Sequence, residues 1–339
     1  MCRGFHPATG RAEAKESIVD PRIPAFILAA GLGTRLRPLT DVLPKPLVPL
    51  LHRPLVTYAM DALVAAGVGT IALNTHHLPG AFSETFGTDP SYRDHPLRLF
   101  HEPLLLDTGG GIRNARAALD RSTFFLYNGD ILADFPLADA LAKHRSSGAL
   151  ATLLLRPRSG GGTANVRFDE CSGCVLDLRG HLGSQEGEEC VYSGVALFEP
   201  GIFNWIPSEG PYSIIDALLE AMRGGEKVGG VLSRHGHWSD LGTPSAYLEA
   251  HRLLLDPNSH TLPPRQQQLP CIHPEAYLES GVTLQGMAVI GPRSLVGTGS
   301  HLEETILWPD SVILPGASLE GCIVTGTRPV QGAHQGAIL

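Results

Sequence analysis

The stretch FILAAGLGTRLRPLTDVLPKPLVP, residues 26–49, decides how this chain is read. An apolar run, Ala25 to Ala30, is short enough for a buried strand, and Gly31, Gly33 and Thr34 follow at once. Such a strand delivers a tight loop to the edge of a sheet. Two glycines let the backbone bend with positive φ and keep side chains clear, so that successive N–H groups can converge on one anion. Fixed cations come next: Arg35, Arg37, and then Lys45 between Pro44 and Pro46. The prolines restrict the backbone around that ammonium, which suits a charge that must meet a phosphate in one place. A bare GxG after a strand is also a common structural turn. Leu36 stands where a dinucleotide fingerprint needs its third glycine, and no Gly-Lys-[Ser/Thr] completes a Walker loop. The residues together point to a nucleoside triphosphate.

Outward from the loop, Pro54 marks a helix start, and Leu55, Tyr58, Ala59, Ala62, Leu63 and Ala66 share one face before Gly67. Strands are expected at 70–75, 97–102 and 123–130, with helices at about 78–86 and 111–119. Alternation at this spacing implies parallel strands joined by crossovers, hence a doubly wound, Rossmann-like α/β sheet whose ligands gather at the carboxyl ends of the strands. The Gly31 loop, Glu102 and Asp130 lie at such ends. After Gly148, strand 149–157, a hairpin through Cys171-Ser-Gly-Cys174 and strand 190–200 suggest a mixed sheet with an antiparallel excursion over one side of the pocket. Helices at 213–223 and 244–255 flank His237-Trp-Ser-Asp-Leu-Gly242, read as a short strand ending in a turn. Residues 257–270 are a proline- and glutamine-rich linker. Beyond it, large apolar residues recur every sixth position at Ile290, Val296, Leu302, Trp308 and Leu314. Smaller or branched ones follow at Ser294, Ser300, Ile306, Val312 and Ser318. That period predicts a short parallel β-helix, taken as left-handed, over 271–327. The expected organisation is a loose tail (1–22), a catalytic domain (23–256), the linker, the β-helix and a final tail (328–339).

Composition narrows the function. The chain has 339 residues, 43% of them hydrophobic, and a formal net charge of −8. The acidic balance argues against nucleic-acid binding, so an anionic substrate needs a local cluster of cations such as Arg35, Arg37 and Lys45. Of the cysteines at 2, 171, 174, 190, 271 and 322, only Cys171 and Cys174 have metal-like spacing, and a structural zinc wants a second pair. No apolar run reaches membrane-spanning length and no signal-peptide core precedes residue 22, so a cytoplasmic protein is expected.

The motif Gly-x-Gly-Thr-Arg-Leu-x-Pro-Leu-Thr followed by Leu-Pro-Lys-Pro-Leu-Val-Pro resembles the signature of the sugar-phosphate nucleotidyltransferases. These join a nucleoside triphosphate to a sugar 1-phosphate and release pyrophosphate. Asn128-Gly129-Asp130 and Trp238-Ser-Asp240-Leu-Gly-Thr243 match two further elements of the family, in order. The resemblance covers roughly residues 24–325. It implies that Asp130 and Asp240 hold Mg²⁺, and that Arg35 and Lys45 are catalytic, holding the triphosphate and the departing pyrophosphate. Ala29, Ala30, Gly31, Gly33 and Thr34 would meet the nucleotide, and Glu102 with Gly109 and Gly110 of the Asp107–Gly111 loop would read its base. A carboxylate accepts two N–H groups from guanine and one from uracil, which favours GTP over UTP or dTTP. A surface glutamate before Pro103 is the alternative reading of Glu102. Asp130 could likewise be a strand-end cap.

On the sugar side, Asn128, Gly129, Gly194 and His237 are candidates, although Gly194 and His237 could simply pack. His235 with His237 could make a metal pair. The family's Glu-Lys-Pro lysine, which grips the sugar phosphate, has no counterpart: the stretch reads Asp177-Leu-Arg-Gly-His-Leu182. Arg179 or His181 could replace it, or could mark an exposed hairpin tip. The Asp107–Gly111 and Gly236–Asp240 details are similar to the muramate-1-phosphate uridylyltransferases. The tail is similar to that of the mannose-1-phosphate guanylyltransferases, and its open coil end would suit homo-oligomerisation. Two other classes remain, each with a discriminating test. A non-catalytic sugar-nucleotide-binding subunit would leave the aspartates without metal, and an acyltransferase tail would bind acetyl-coenzyme A.

Overall fold

The computed structural model describes residues 23–158, 165–256 and 271–339, so the expected tail (1–22) and linker (257–270) lie outside the described residues. Strand β1, Ile23–Leu28, is apolar and buried on every residue but the last. It pairs in parallel on both sides, with β2 (Val68–Thr75) and with β4 (Phe124–Asn128), and β2 in turn pairs in parallel with β3 (His95–His101). Strands with helices on both faces read as continuous apolar runs rather than alternating ones. Here α1 (Val56–Ala65), α2 (Gly80–Phe86) and α4 (Leu137–Ser147) pack on one face. Helices α3 (Asp107–Asn114) and α5 (Ile214–Arg223) pack on the other.

Helix α3 departs from the sequence expectation, which put residues 107–111 in a loop. The helix begins at Asp107 and carries all three glycines inside it. A Cβ on Gly109 would stand 2.9 Å from the Tyr212 carbonyl oxygen, and one on Gly111 would stand 2.8 Å from Glu102 Oε1. The glycines therefore let α3 lie directly on neighbouring backbone, and this close packing outweighs their cost of about 0.5–1 kcal/mol each in a helix.

The second half is antiparallel where it meets the first. Strand β9 (Glu188–Phe198) lies between β4 and β6 (Ala151–Pro157), antiparallel to both. The hairpin β7 (Val166–Asp169) and β8 (Cys174–Leu178) returns to β9 and to β10 (Val228–Leu232). With β10 paired to β6, these five strands close into a ring. Gly230 makes room for Phe168, whose ring would lie 2.6 Å from a Cβ there. Two short strands, β5 (Ile131–Ala133) and β11 (Trp238–Asp240), form a separate antiparallel pair in which Asp240 faces Ile131. Helix α6, Pro244–Leu255, follows, its first turn capped by the Thr243 hydroxyl.

The C-terminal residues stack in parallel, Thr283 against His301, His301 against Ser318 and Ser318 against Ala333. The first two steps, 18 and 17 residues, are close to three six-residue periods, and the last, 15 residues, is shorter. The expected tail 328–339 continues this stack: Val330 bridges to Ile313, Ala333–Gln335 pairs with Ser318–Glu320, and Ile338 bridges to Ile323. The period also slips. The buried interior runs Ile290, Val296, Leu302, then Leu307, Ile313, Leu319, then Val324 and Val330, so the inward row twice advances by five residues instead of six. Trp308, expected on the inward row, instead belongs to the apolar cluster that includes Tyr247 of α6, Leu50 and Val48, and Leu314 is only half-buried. Trp308 Nε1 donates to Tyr247 Oη at 3.0 Å, and Tyr247 Oη donates to the Pro49 carbonyl. The stack is thereby joined to the segment that carries Lys45.

Candidate active site

Strand β1 ends at Leu28, and the Gly31 loop opens over the carboxyl ends of β1, β2 and β4. A cavity of about 430 Å³ lies there, lined by Ala29, Ala30, Gly31, Gly33, Thr34, Arg35, Lys45, Asn74, Glu102, Asp107, Thr108, Asn128, Asp130 and Gly242 among others. The Ala29 and Ala30 amides both donate to Asn74 Oδ1, at 2.6 and 3.2 Å. Past them, the amides of Gly31, Leu32, Gly33 and Thr34 find no acceptor among the described residues. Gly33 takes φ 62°, ψ 26°, and its carbonyl accepts from Thr40 Oγ1 at 2.9 Å. A run of unpaired amides in a left-handed turn is an anion-binding concavity.

Lys45 is 7% exposed, and its ammonium bridges the two aspartates, 2.6 Å from Asp130 Oδ2 and 3.1 Å from Asp240 Oδ1. Arg35, largely exposed, reaches Asp240 Oδ2 at 2.9 Å. Gly242 leaves it room, because a Cβ there would stand 2.8 Å from the guanidinium carbon. The convergence comes from the β5–β11 ladder, which sets Asp240 opposite Ile131, while the Leu241 amide donates to the Asp130 carbonyl at 3.1 Å. Burial opposes charge on Asp240, but Lys45 and Arg35 outweigh it and hold its pKa below the ordinary aspartate value. The same ion pair raises the pKa of Arg35. The two carboxylates keep about a third of their side chains exposed. No group of three or more ligating side chains occurs among the described residues. Two carboxylate ligands completed by phosphate oxygens and water are what a hard divalent cation takes, so the residues fit one.

Glu102 is fully buried rather than on the surface. Its Oε1 accepts from Asn74 Nδ2 at 2.8 Å, and its Oε2 from the Leu106 amide at 2.9 Å just before α3. Asn74 thus ties the glycine loop to the opposite wall. Sequence reasoning passed over it, although an Asn in a buried apolar strand demands partners and is itself a signal. Gly109 and Gly110 do not line the cavity. They sit inside α3 against Tyr212 and Gly210, and Asp107 and Thr108 face the cavity instead.

Asn128 lines the cavity, with Gly129 behind it packed on the Leu28 carbonyl oxygen. Gly194 has φ 82° in a bulge of β9, where a Cβ would meet Ile131 and Asn128. Arg179 and His181 occupy an exposed turn. His237 is half-buried, its amide donating to Asp134 Oδ1 at 2.6 Å and its Nε2 lying 2.9 Å from Ser239 Oγ. Burial, aided by Arg156, pushes its pKa down, while burial pushes that of Asp134 up. His235 is exposed, and Cys171 and Cys174 are free thiols.

The nucleotidyl transferase family model matches residues 24–257. Across 313 residues the chain is 31% identical to a mannose-1-phosphate guanylyltransferase of Mycobacterium tuberculosis, covering 89% of this chain and 83% of that one. It is 25% identical to a UTP–glucose-1-phosphate uridylyltransferase of Synechocystis, covering 89% and 87%. A Bacillus anthracis crystal structure described as a glucose-1-phosphate thymidylyltransferase superposes with a TM-score of 0.58 at 19% identity, over 70% of this chain and 96% of that one, a likeness of fold.

Proposed function

The chain belongs to the nucleotidyl transferase family, and from that premise we propose that it makes an NDP-sugar and pyrophosphate from a nucleoside triphosphate and a sugar 1-phosphate, with GTP and mannose 1-phosphate as substrates. The observation that carries the reading is the single ammonium of Lys45 shared by Asp130 and Asp240 at the mouth of the glycine loop. Both substrates are anions, so their mutual repulsion is the main obstacle to in-line attack on the α-phosphorus, and positioned charge is the main remedy. Arg35, Lys45 and the amides after Ala30 hold the triphosphate. Mg²⁺ on Asp130 and Asp240 would supply charge neutralisation. The acceptor phosphate is already a nucleophile, so the protein needs neither a covalent intermediate nor a base.

The guanine reading is supported by the M. tuberculosis relative, whose match runs over most of this chain, and by Glu102. Each oxygen of that carboxylate accepts one protein donor. We assign its remaining lone pairs to the N1–H and N2–H of guanine. The uridylyltransferase relative supports UTP as the second reading. We also read the C-terminal stack as a left-handed parallel β-helix whose open end serves an oligomer. Pyrophosphate release measured with each of GTP, UTP, dTTP and ATP against a panel of sugar 1-phosphates tests the substrate pair. Turnover with every triphosphate except GTP would discard the guanine reading.

A further inference from the structure

We propose that Arg156 receives the phosphate of the acceptor sugar 1-phosphate, in place of the lysine that the hairpin lacks. The proposal rests on the nucleotidyl-transfer reading above and adds a residue to it. Arg156 is near the carboxyl end of β6, where it pairs with Val191 of β9, just before the bulge at Gly194. Its guanidinium carbon stands 5.0 Å from the centre of the Trp238 ring. That ring is a fixed platform, because Trp238 Nε1 donates to the Ser193 carbonyl at 2.9 Å and the Trp238 backbone pairs with Ala133 in the β5–β11 ladder.

Strand alternation places Trp238 on the same face of β11 as Asp240, two residues and roughly 7 Å along the strand. A phosphate lying between them would meet the metal-binding carboxylates at one end and the Arg156 fork at the other. A guanidinium held over an indole by cation–π attraction keeps N–H donors for such an anion, and its planar fork fits phosphate bidentately.

Arg156 is half-buried and pairs with no carboxylate among the described residues, whereas Arg53, also half-buried, meets Asp61 at 2.6 Å. Burial acts on Arg156 without a compensating acid and lowers its pKa. The nearby titratable group, His237, is held toward its neutral form. A desolvated cation with no protein counterion is costly to keep unless a ligand supplies the anion.

The test is two-substrate kinetics on Arg156→Ala, Arg156→Lys and Arg156→Gln, with melting curves to establish folding. Arg156→Ala is expected to raise KM for the sugar 1-phosphate at least tenfold and leave KM for the triphosphate within twofold. Arg156→Lys should recover part of the loss. An unchanged sugar-phosphate KM, an equal rise for both substrates, or a fall confined to kcat would overturn the proposal and leave Arg156 as a support for Trp238. Should the alanine variant fail to fold, the lysine and glutamine variants carry the same comparison. Titration of each protein with the sugar 1-phosphate, monitored by calorimetry, repeats it without turnover. Wild-type protein that binds the sugar phosphate through Arg156 yet releases no pyrophosphate would refute the functional reading alone. Active wild type with an indifferent Arg156 would refute only this inference.

Discussion

Replacing Lys45 by Met keeps the aliphatic stem and removes the charge that the two aspartates share. At about 3 Å and an effective dielectric near 20, each contact is worth about 5 kcal/mol before desolvation, and burying the ammonium takes back most of that. What the variant loses is the compensation of two facing carboxylates. Stripping one partner from a buried pair costs about 3–5 kcal/mol, but Asp130 and Asp240 are about a third exposed, so a loss of about 2 kcal/mol is expected after solvent screening. That corresponds to a fall of roughly 5 °C in melting temperature. In catalysis, loss of one preorganised charge contact lowers kcat by about 100- to 1000-fold. The assay pairs pyrophosphate release with melting curves, each with and without millimolar Mg²⁺. Because a divalent cation on the same carboxylates replaces the lost charge, Mg²⁺ should restore the melting temperature and leave kcat low. A kcat within threefold of wild type, or an unchanged melting temperature without Mg²⁺, would refute the reasoning.

Other outcomes follow from the same geometry. The Asp240 pKa is depressed in the folded protein below its ordinary 3.8. Its stabilising contribution is therefore complete above that value and is lost as pH falls through the folded pKa, so the stability gap between wild type and Asp240→Asn should narrow only in strong acid. His251, fully buried, accepts from the Leu51 amide and lies 2.9 Å from the Tyr247 carbonyl oxygen, and burial lowers its pKa from 6.5 to about 4. Stability should be full above 6.5 and decline by about 3 kcal/mol as pH falls to about 4, and His251→Gln should flatten that slope in chemical denaturation. Gly33→Ala adds a Cβ 2.7 Å from Thr40 Cγ2 at φ 62°. It should cost about 1–2 kcal/mol or more, and Thr40→Ser in the same chain should recover the steric part. Trp308→Ala opens the contact with Tyr247 and should cost about 3–5 kcal/mol in denaturant titration, a loss confined to a change below 1 kcal/mol counting against it.

Residues 26–49 were legible because their information is local: an apolar run makes a strand, glycines make a turn, and prolines fix the lysine between them. The strand-end positions of Asp130 and Asp240 were also readable, as was the parallel pairing of short strands in the tail. The meeting of the two aspartates was expected only through the family resemblance, because nothing in the two segments themselves announces it. It depends on the three-residue ladder of Ile131–Ala133 with Trp238–Asp240, a pairing across more than a hundred residues for which neither strand carries a distinctive pattern. The same limit hid Asn74, which matters only because β1 and the start of α3 pack around it. Glycines that propensity assigns to a loop became helical in α3, since only glycine lets that helix rest on the Tyr212 backbone. Trp308 left the repeat because the inward row skips from Leu302 to Leu307, and its indole then found Tyr247 rather than the interior. Neighbours along the chain set backbone preference and period, and so they determined the elements and the chemistry on offer. Which side chains face one another is set by packing between distant segments, and only the folded chain decided that.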